Sequence, residues 1–313
     1  MDIWLKAIIF NEYGTPDVLR EEEVEIPIIH DDEVLVEVYT TSVNPVDCYI
    51  RSGQVHDIFP VDFPHILGVD IAGIVQATGK NVNHVQPGDR VFGLVDSGGY
   101  AAYTKVDKSA VVRISPSISF AEAGALPAVS ITAWQSLFHY GQLRKGERIL
   151  IHAAAGGVGH IAIQLAKWAG AYVIGTASSW NYDFVRQLGA DEVIDYTAVD
   201  FTKVVHAVDV VIDGIGGEVE DMSYKVLKEG GKLISLINRA IKGNTSRNDV
   251  MAKFALIQSS ASDFAQIEEL VREHKLKVHI NGVVPLSQAG VTEAHLRSET
   301  RHVNGKLVIQ VRE

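Results

Sequence analysis

The sequence has only one cysteine, Cys48, among its 313 residues. A single cysteine excludes an internal disulfide, and it excludes zinc sites built from clustered cysteines. Basic residues are also scarce, because 28 lysines and arginines stand against 39 aspartates and glutamates and give a formal net charge of −11. Nucleic acids and anionic membrane surfaces bind basic patches, so neither is expected as the main partner.

Long apolar runs are absent as well. No stretch approaches the roughly 18 consecutive apolar residues of a membrane-spanning helix. The first residues, MDIWLKAIIFNEYG, lack the basic region and apolar core of a secretory signal, so a cytoplasmic protein is expected. A composition of 47% hydrophobic and 21% charged residues is typical of globular proteins, and the length is sufficient for two domains.

The most informative stretch is residues 148–170, RILIHAAAGGVGHIAIQLAKWAG. Its first residues predict a strand, and the helical spacing of apolar residues from about Val158 predicts a helix. Between them, Ala154, Gly156 and Gly159 have the G-x-G-x-x-G spacing of a dinucleotide-binding loop, with alanine in the first position. Gly156 would let the backbone approach a pyrophosphate, and Gly159 would let the helix pack closely on the strand. An ordinary glycine-rich turn is the alternative.

The residues after this loop alternate between apolar runs and helical patterns. Strands are predicted at residues 171–176, 192–195, 208–213 and 232–237, and helices at residues 180–188 and 218–228. A last strand is predicted from Phe254 to Gln258. This alternation predicts a doubly wound parallel sheet, which is the expected context for the glycine loop.

The first part of the chain is rich in strand patterns. Short strands are predicted at residues 6–10, 34–41, 70–78, 90–95 and 101–105, which favours a compact barrel or sandwich. Residues 119–140 then become helical, with a break at Pro127 where the chain can cross between domains. An amphipathic helix at residues 262–274 and strands at residues 278–284 and 306–311 bring the chain back to the first domain.

Six motifs occur in order along the chain. They are SVNPVDCYIRSG from Ser42, GVDIAG from Gly68, QPGDRVFG from Gln86, AAAGGVG from Ala153, LGADEVIDY from Leu188 and NGKLVIQV from Asn304. Together they resemble the zinc-independent quinone oxidoreductase branch of the medium-chain dehydrogenase/reductase superfamily. The resemblance implies an α/β protein with a GroES-like β-rich catalytic domain at residues 1–126 and 275–313. It also implies a Rossmann domain with a doubly wound parallel sheet at residues 127–274, and a nicotinamide cofactor in the cleft.

Zinc is not expected in this chain. Alcohol dehydrogenases of the superfamily carry a cysteine where this chain has Asn44, and a His-Glu pair where it has Val69 and Asp70. A catalytic zinc would therefore lack its first two ligands, and the stretch after Gly93 has no cysteine for a structural zinc. Cys48 is interpreted as a small packing residue rather than a ligand or nucleophile.

Without a metal, the acceptor must need little electrophilic assistance, as quinones and conjugated enones do. The resemblance implies that Asn44, Asp47 and Tyr49 face the nicotinamide end of the cleft. Asn44 would hydrogen-bond the nicotinamide ribose, and Tyr49 would orient the acceptor carbonyl or donate a proton to it. An ordinary turn is the alternative for this stretch. Thr132 matches a position that contacts the nicotinamide amide, and the alternative is a helical threonine bonded to its own backbone.

The adenosine end indicates the choice of cofactor. NAD-binding enzymes hold the adenosine ribose with an acid about 20 residues past the loop, whereas residues 176–181, TASSWN, contain none. The hydroxyls of Ser178 and Ser179 can donate to a 2′-phosphate, so NADPH is expected, although both serines are also candidate helix N-caps. Tyr196 matches a position that reaches the same phosphate. Relatives often carry a lysine near Asn181, and its absence leaves the strength of the preference open.

Further cofactor contacts are implied by the resemblance. They are Ala155, Gly156, Gly157 and Val158 in the glycine loop, and Ile215, Gly216 and Leu236 beside the nicotinamide. The sequence therefore predicts an NADPH-dependent reductase that transfers a hydride to a quinone or an α,β-unsaturated carbonyl compound. The alternatives are a carbonyl or alcohol dehydrogenase-type enzyme and a low-turnover NADPH-binding protein with a structural or regulatory role.

Two further expectations concern the partners. Relatives pair an edge of the nucleotide-binding sheet across a two-fold axis, so a homodimer through the strand from Phe254 to Gln258 is expected. Residues 238–251 should line the acceptor pocket, but their irregular sequence does not reveal the physiological acceptor.

Overall fold

The structure is a computed structural model that describes residues 4–241 and 247–312. Residues 242–246, in the loop expected to line the acceptor pocket, lie outside the described residues. The chain divides into two compact units. The first comprises the chain up to Ala128, Ser259–Glu273 and the chain from Val278 onward, and the second comprises Val129–Gln258 and His274–Lys277.

The strands and helices follow the order of the chain. The strands are β1 (Trp4–Phe10), β2 (Arg20–Glu25), β3 (Glu33–Val43), β4 (His65–Ile66), β5 (Asp70–Thr78), β6 (Arg90–Leu94), β7 (Tyr103–Asp107), β8 (Val111–Arg113), β9 (Arg148–Ile151), β10 (Tyr172–Ala177), β11 (Glu192–Asp195), β12 (Val208–Asp213), β13 (Leu227–Ser235), β14 (Met251–Phe254), β15 (Ile280–Pro285) and β16 (Lys306–Gln310). The helices are α1 (Pro45–Ser52), α2 (Phe120–Ala125), α3 (Pro127–Trp134), α4 (Gly157–Trp168), α5 (Tyr182–Gln187), α6 (Glu218–Ser223), α7 (Ala261–Arg272) and α8 (Gln288–Glu299). A π-helical segment, Gln135–Tyr140, continues α3.

The first unit is built on a seven-stranded sheet. Its main path runs β15-β16-β3-β5-β6-β8, β7 also pairs with β3, and a smaller sheet has the order β2-β1-β4. Alternate residues of β3, among them Val34, Val36 and Val38, are fully buried, which is the period of two expected of a strand with one face in the core. The last four residues of β3 are all buried, and they lead directly into Asn44 at the start of α1.

The second unit is a six-stranded parallel sheet with the order β11-β10-β9-β12-β13-β14. The chain builds outward from β9 to one side and then returns to build outward on the other side. Ligands of such sheets bind at the carboxyl ends of the strands, beside the point where the order reverses. The glycine loop follows β9 and therefore lies at that point.

Most predicted elements are confirmed. The strands β5, β11 and β12 have the predicted bounds, and the helical stretch 119–140 breaks at Pro127 as predicted. The first unit also takes in residues 259–273, which the sequence boundaries placed with the nucleotide-binding domain. These residues form α7, whose Phe264 ring packs edge-on against Phe92, with 5.3 Å between the ring centroids.

The predicted strand from Phe254 to Gln258 is wrong in its bounds. The edge strand β14 ends at Phe254, where the predicted strand begins. Beyond it, the carbonyl of Leu256 accepts from the Tyr140 hydroxyl at 2.8 Å and the carbonyl of Gln258 accepts from Gln135 Nε2 at 2.8 Å. These side-chain partners take the place of a neighbouring strand.

Two other local expectations differ from the structure. The helix predicted at residues 218–228 ends at Ser223, because Leu227 already pairs with Val208 across the sheet. The stretch after Asn44 is helix α1 and not only a turn. Within residues 4–241 and 247–312, no helix combines the length and the apolar composition needed to cross a bilayer.

Candidate active site

The glycine loop has the geometry that its spacing predicts. Gly156 is the N-cap of α4, and its N–H donates to the carbonyl of Ala153 at 2.9 Å. A Cβ added at Gly159 would lie 2.3 Å from that carbonyl oxygen, a distance that forces the loop and the helix apart. At Gly156 the same addition would be crowded but not blocked, at 3.2 Å. The two glycines therefore keep the loop tight and its backbone accessible.

The first turn of α4 fits a phosphate group. Ala155 is buried, whereas Gly156, Gly157 and Val158 are half-buried at the start of the helix. The first N–H groups of a helix have no intrahelical partner, and the helix dipole makes this end positive. Side chains are missing where they would fill the turn, so the described residues fit the pyrophosphate of a dinucleotide.

The residues predicted at the adenosine end come together within the second unit. Ala177 at the end of β10 lies opposite Asp195 at the end of β11, and the N–H of Tyr196 donates to the Ala177 carbonyl at 3.2 Å. Ser178 and Ser179 directly follow β10, and the Tyr196 side chain is exposed. The Ser178 hydroxyl makes no N-cap bond, although it accepts from Asn181 Nδ2 at 3.3 Å.

Asp195 is a residue that sequence reasoning missed at this end. Its carboxylate accepts from the N–H of Thr197 at 2.9 Å and from the Thr197 hydroxyl at 2.6 Å. The backbone N–H of Ser179 also bonds to it, and these bonds hold its pKa below the usual range, with the Thr197 hydroxyl as the main cause. An ionised acid therefore lies beside Ser179, although residues 176–181 contain none. The parallel pairing of β10 with β11 brings it there.

The residues predicted beside the nicotinamide lie at the ends of β12 and β13. The buried carboxylate of Asp213 accepts from the N–H groups of Ile215 at 2.9 Å and Gly216 at 3.1 Å. The N–H of Leu236 donates to the Asp213 carbonyl at 2.8 Å. Asp213 thus links the three predicted residues. Thr132 is half-buried on α3, and no contact with the other described residues assigns it to this group.

The residues predicted to face the nicotinamide end, two of them catalytic (Asn44 and Tyr49) and one cofactor-binding (Asp47), lie at or near the start of α1. Asn44 precedes the helix, Asp47 is in its first turn, and the half-buried Tyr49 follows in the next turn. Asp47 Oδ2 accepts from the backbone N–H of Asn44 at 2.8 Å, so the helix start is closed by its own carboxylate. The helix ends at Gly53, which has φ of +78°.

Asp47 is completely buried, so its side chain presents no surface to a ligand in this structure. It also accepts from the N–H of Gly68 at 3.1 Å and from the Tyr100 hydroxyl at 3.3 Å. Burial raises the pKa of this carboxyl to about 7. The Tyr100 hydroxyl lies 3.2 Å from Nε2 of His295, whose pKa is lowered by burial to about 3.

Sequence reasoning also missed a buried ion pair between Lys306 and Asp70. Lys306 Nζ lies 3.3 Å from Asp70 Oδ2, with the two side chains 3% and 0% exposed. Both residues contact the Asn44 amide: Lys306 Nζ donates to its Oδ1 at 2.6 Å, and its Nδ2 donates to Asp70 Oδ2 at 2.7 Å. Lys306 lies in the motif NGKLVIQV, and nothing in its local sequence indicates a partner 236 residues earlier.

The donor set at this place does not fit a catalytic zinc. Asn44 supplies a neutral amide, Val69 supplies no ligand atom, and the Asp70 carboxylate is already neutralised by the Lys306 ammonium. Zinc in this kind of site takes cysteine, histidine and carboxylate ligands. Across the part of the chain that the structure describes, no cluster of three histidine, cysteine or acidic residues has the arrangement of a metal site.

Two family models match the chain. The alcohol dehydrogenase GroES-like domain matches residues 30–116, and a model described as zinc-binding dehydrogenase matches residues 188–309. The first match lies within the first unit. The second covers the later strands of the parallel sheet and the return of the chain to the first unit.

Similar proteins cover nearly the whole chain. A quinone-oxidoreductase homolog from the chloroplast of Spinacia oleracea is 34% identical over 98% of both chains. An NADPH-dependent alkenal/one oxidoreductase from Arabidopsis thaliana is 32% identical over 97% of this chain and 79% of its own. The solved Escherichia coli quinone oxidoreductase complexed with NADPH is 27% identical, with a TM-score of 0.87 over 98% of this chain and 100% of that one. The two-unit fold, the ordered motifs and this full-length similarity agree, and the chain belongs to the zinc-independent quinone oxidoreductase branch of the medium-chain dehydrogenase/reductase superfamily.

Proposed function

We propose that the protein is an NADPH-dependent oxidoreductase that reduces quinones or α,β-unsaturated carbonyl compounds without zinc. The observation that carries the proposal is the buried ion pair at Asn44, where Lys306 rather than a metal neutralises Asp70. Relatives named for quinone and alkenal reduction support the same acceptor class.

The second unit supports NADPH as the cofactor. The N–H groups of Gly157 and Val158 would hold the pyrophosphate at the start of α4. The Ser178 and Ser179 hydroxyls and the exposed Tyr196 would hold the 2′-phosphate. Ile215, Gly216 and Leu236 would line the nicotinamide side, together with Thr132. When bound, NADPH supplies a hydride to the acceptor.

The first unit supports an acceptor that needs no metal. A hydride added to a quinone or a conjugated enone leaves a negative charge spread over several atoms, so a single weak donor suffices to stabilise it. Tyr49, half-buried on α1, would orient the acceptor oxygen and donate its hydroxyl proton there. Asn44 would hydrogen-bond the nicotinamide ribose.

Steady-state assays with NADPH test the activity. Quinones and enones should be reduced readily, whereas simple ketones and alcohols should react poorly, because no Lewis acid polarises them. Efficient oxidation of simple alcohols without any turnover of quinones or enones would favour the alcohol dehydrogenase alternative. NADPH binding with negligible turnover across the panel would favour the regulatory alternative.

Tyr49→Phe tests proton donation. A general acid contributes about 10²-fold or more to the rate, and an orienting group contributes much less. Tyr39→Phe is the matched control, since its ring stacks on Phe120 with 4.4 Å between centroids and loses only the hydroxyl. A Tyr49→Phe enzyme as fast as the control would exclude Tyr49 as the acid.

Metal content tests the zinc-free part of the proposal. The purified protein should hold no stoichiometric zinc by mass spectrometry, and chelators should leave its activity intact. One zinc per chain, removable only with loss of turnover, would contradict this part and leave the choice of cofactor to be judged separately.

A homodimer through the edge of the parallel sheet is also proposed. Met251–Phe254 forms β14, which is the outermost strand on that side and pairs only with β13 among the described strands. An edge strand has unpaired backbone groups that a second copy can pair with. Sedimentation should show a dimer at micromolar concentration, and Ala252→Pro should weaken it by removing a backbone donor.

The location is a separate proposal. A cytoplasmic protein is expected from the sequence, although the Spinacia oleracea and Arabidopsis thaliana relatives are named as chloroplastic. Fractionation of the source cells with antibodies against this chain tests the location directly.

A further inference from the structure

Two charged groups hold the Asn44 side chain from the two ends of its amide. Its Nδ2 donates to Asp70 Oδ2 at 2.7 Å, and its Oδ1 accepts from Lys306 Nζ at 2.6 Å. All three residues are buried, with exposed fractions of 5% or less. Both hydrogen bonds are therefore charge-assisted and shielded from water, the conditions in which such bonds are strongest.

Lys306 uses its whole hydrogen-bonding capacity inside the protein. An ammonium group has three N–H donors. Three acceptors lie within reach of Nζ: the Val43 carbonyl at 3.1 Å, Asn44 Oδ1 at 2.6 Å and Asp70 Oδ2 at 3.3 Å. Lys306 therefore acts on the site through the groups it holds rather than on an acceptor directly.

Asp70 is satisfied in the same way. Besides Asn44 and Lys306, its carboxylate accepts from the Ser42 hydroxyl at 2.5 Å and from the N–H of Ala128 at 2.6 Å. A buried ion pair is weak evidence for stability, because apolar residues of similar volume often stabilise a protein equally well. The role of the ion pair therefore concerns the group that it binds, the side-chain amide of Asn44.

The pair distinguishes the two orientations of the Asn44 amide. Rotation of the amide by half a turn would set its NH2 group against the Lys306 ammonium and its oxygen against the Asp70 carboxylate. Two attractive contacts would become two repulsive ones. The backbone of Asn44 is fixed as well, since its N–H donates to Asp47 Oδ2 at 2.8 Å.

We propose that Lys306 and Asp70 are positioning residues that hold the Asn44 amide in one orientation, ready to hydrogen-bond the nicotinamide ribose. The inference rests on the proposed function, which brings Asn44 to the cofactor. The amide has a second N–H and a second lone pair beyond those used by the pair. The fixed orientation decides which of them the ribose meets, and it spares the cofactor the entropy cost of ordering the side chain.

The first experiment needs no cofactor. In ¹⁵N-labelled protein, the Nδ2 protons of Asn44, assigned by comparison with Asn44→Ala, should exchange slowly with water. Lys306→Met should speed this exchange about tenfold or more, since one of the two charged partners is lost. Because this variant leaves Asp70 buried without its cation, the neutral double variant Asp70→Asn/Lys306→Met is measured beside it. Glu299→Gln is the control, as it removes the charge that pairs with Arg51 in the last turn of α1, at the opposite end of that helix from Asn44.

The second experiment is a double-mutant cycle on the Kd for NADPH, measured by fluorescence titration. Lys306→Met should raise the Kd about tenfold, which corresponds to about 1.4 kcal/mol. In an Asn44→Ala background the same substitution should change the Kd less than about twofold, because its effect passes through Asn44. The Glu299→Gln control should bind NADPH as the wild type does.

Unchanged amide exchange in both Lys306 variants would overturn the inference, as would additive effects in the cycle. Assays of the wild type with quinones and enones judge the proposed function separately. A wild type that binds NADPH and reduces neither class would refute that function, while the amide and Kd measurements would still decide the positioning role.

Discussion

In the second unit the proposed cofactor site presents main-chain N–H groups from a short loop, whereas in the first unit one amide is held by charged side chains far apart in sequence. Gly156 and Gly159 belong to one turn. Asn44 and Lys306 are 262 residues apart. The comparison shows two ways to preorganise a site: a loop whose shape comes from missing side chains, and a buried network whose shape comes from complete hydrogen bonding.

The largest effect is expected where the buried network is broken. Lys306→Met removes the cation from a fully buried carboxylate, and removing one partner of a buried ion pair costs about 3–5 kcal/mol of stability. Urea denaturation should show this loss, and Asp70→Asn/Lys306→Met should recover most of it because no charge remains uncompensated. If Lys306→Met were as stable as the wild type, water or another cation would have to reach Asp70.

A smaller loss is expected in the glycine loop. Gly159→Ala places a Cβ 2.3 Å from the Ala153 carbonyl, so the loop must move. Overpacking of this kind costs about 1–3 kcal/mol, and the Kd for NADPH should rise with it. Gly214→Ala is the control in the same unit, because its φ is not positive and an added Cβ would meet only Leu236 Cδ1, at an ordinary 3.8 Å. Equal losses of stability in the two variants would show that the close contact at Gly159 is not responsible.

At the adenosine end, two substitutions change the local charge in opposite directions: Ser178→Asp adds a carboxylate and Asp195→Asn removes one. Ser178→Asp should lower the preference for NADPH over NADH at least about tenfold, by repulsion between the new carboxylate and the 2′-phosphate. Asp195→Asn should raise it only about two- to fivefold, since solvent screens this partly exposed charge. Ratios of kcat/KM for the two cofactors measure both. A wild type without preference would contradict the assignment of the serines to the phosphate.

A pH dependence of stability is expected from Asp47. Burial raises the pKa of its carboxyl to about 7, well above the ordinary value of 3.8. As the pH rises between these values, the unfolded chain releases a proton that the folded protein retains, so the free energy of unfolding falls. The difference in unfolding free energy between wild type and Asp47→Asn should therefore decrease from about pH 4 to about pH 7.

Asp57→Asn serves as the control for this measurement, because the Asp57 side chain is 88% exposed and lies on the surface. Buried His295 and His152 have lowered pKa values and give slopes of the opposite sign, but they are present in both proteins and cancel in the difference. A difference that increases with pH would mean that Asp47 is ionised in the folded protein throughout.

The second unit was predicted best from the sequence because the patterns that indicate its strands and its loop each lie within a short stretch of the chain. The central strands β9 and β12 are buried apolar runs, and the loop is recognised from three positions within six residues of sequence. The edge strand β14 was misplaced because apolar character continues past Phe254, while the side chains that end the strand, Tyr140 and Gln135, come from more than a hundred residues away.

The first unit was harder to predict for the same physical reason. Strand β2, REEEVE, is almost entirely exposed, so it has no alternation of apolar and polar residues to indicate a strand. The ion pair of Lys306 with Asp70 arises only when β16 pairs with β3, and no spacing rule connects the two residues. Asp195 was missed because it belongs to the neighbouring strand β11 and not to the stretch that follows β10.

The pairing of β16 with β3 also fixes the order in which a newly made chain can fold. Leu307 lies opposite Val43, and every strand of the second unit is synthesised between them. All strands of the nucleotide-binding sheet are therefore synthesised before β16, the strand that pairs with the last residues of β3. Domains generally fold as units during synthesis, so this sheet can form first. Until Lys306 has been synthesised, Asp70 lacks its ion-pair partner and the orientation of the Asn44 amide is not fixed. The glycine loop proposed to bind the pyrophosphate can thus form before Asn44, proposed to meet the other end of the cofactor, is held by Lys306.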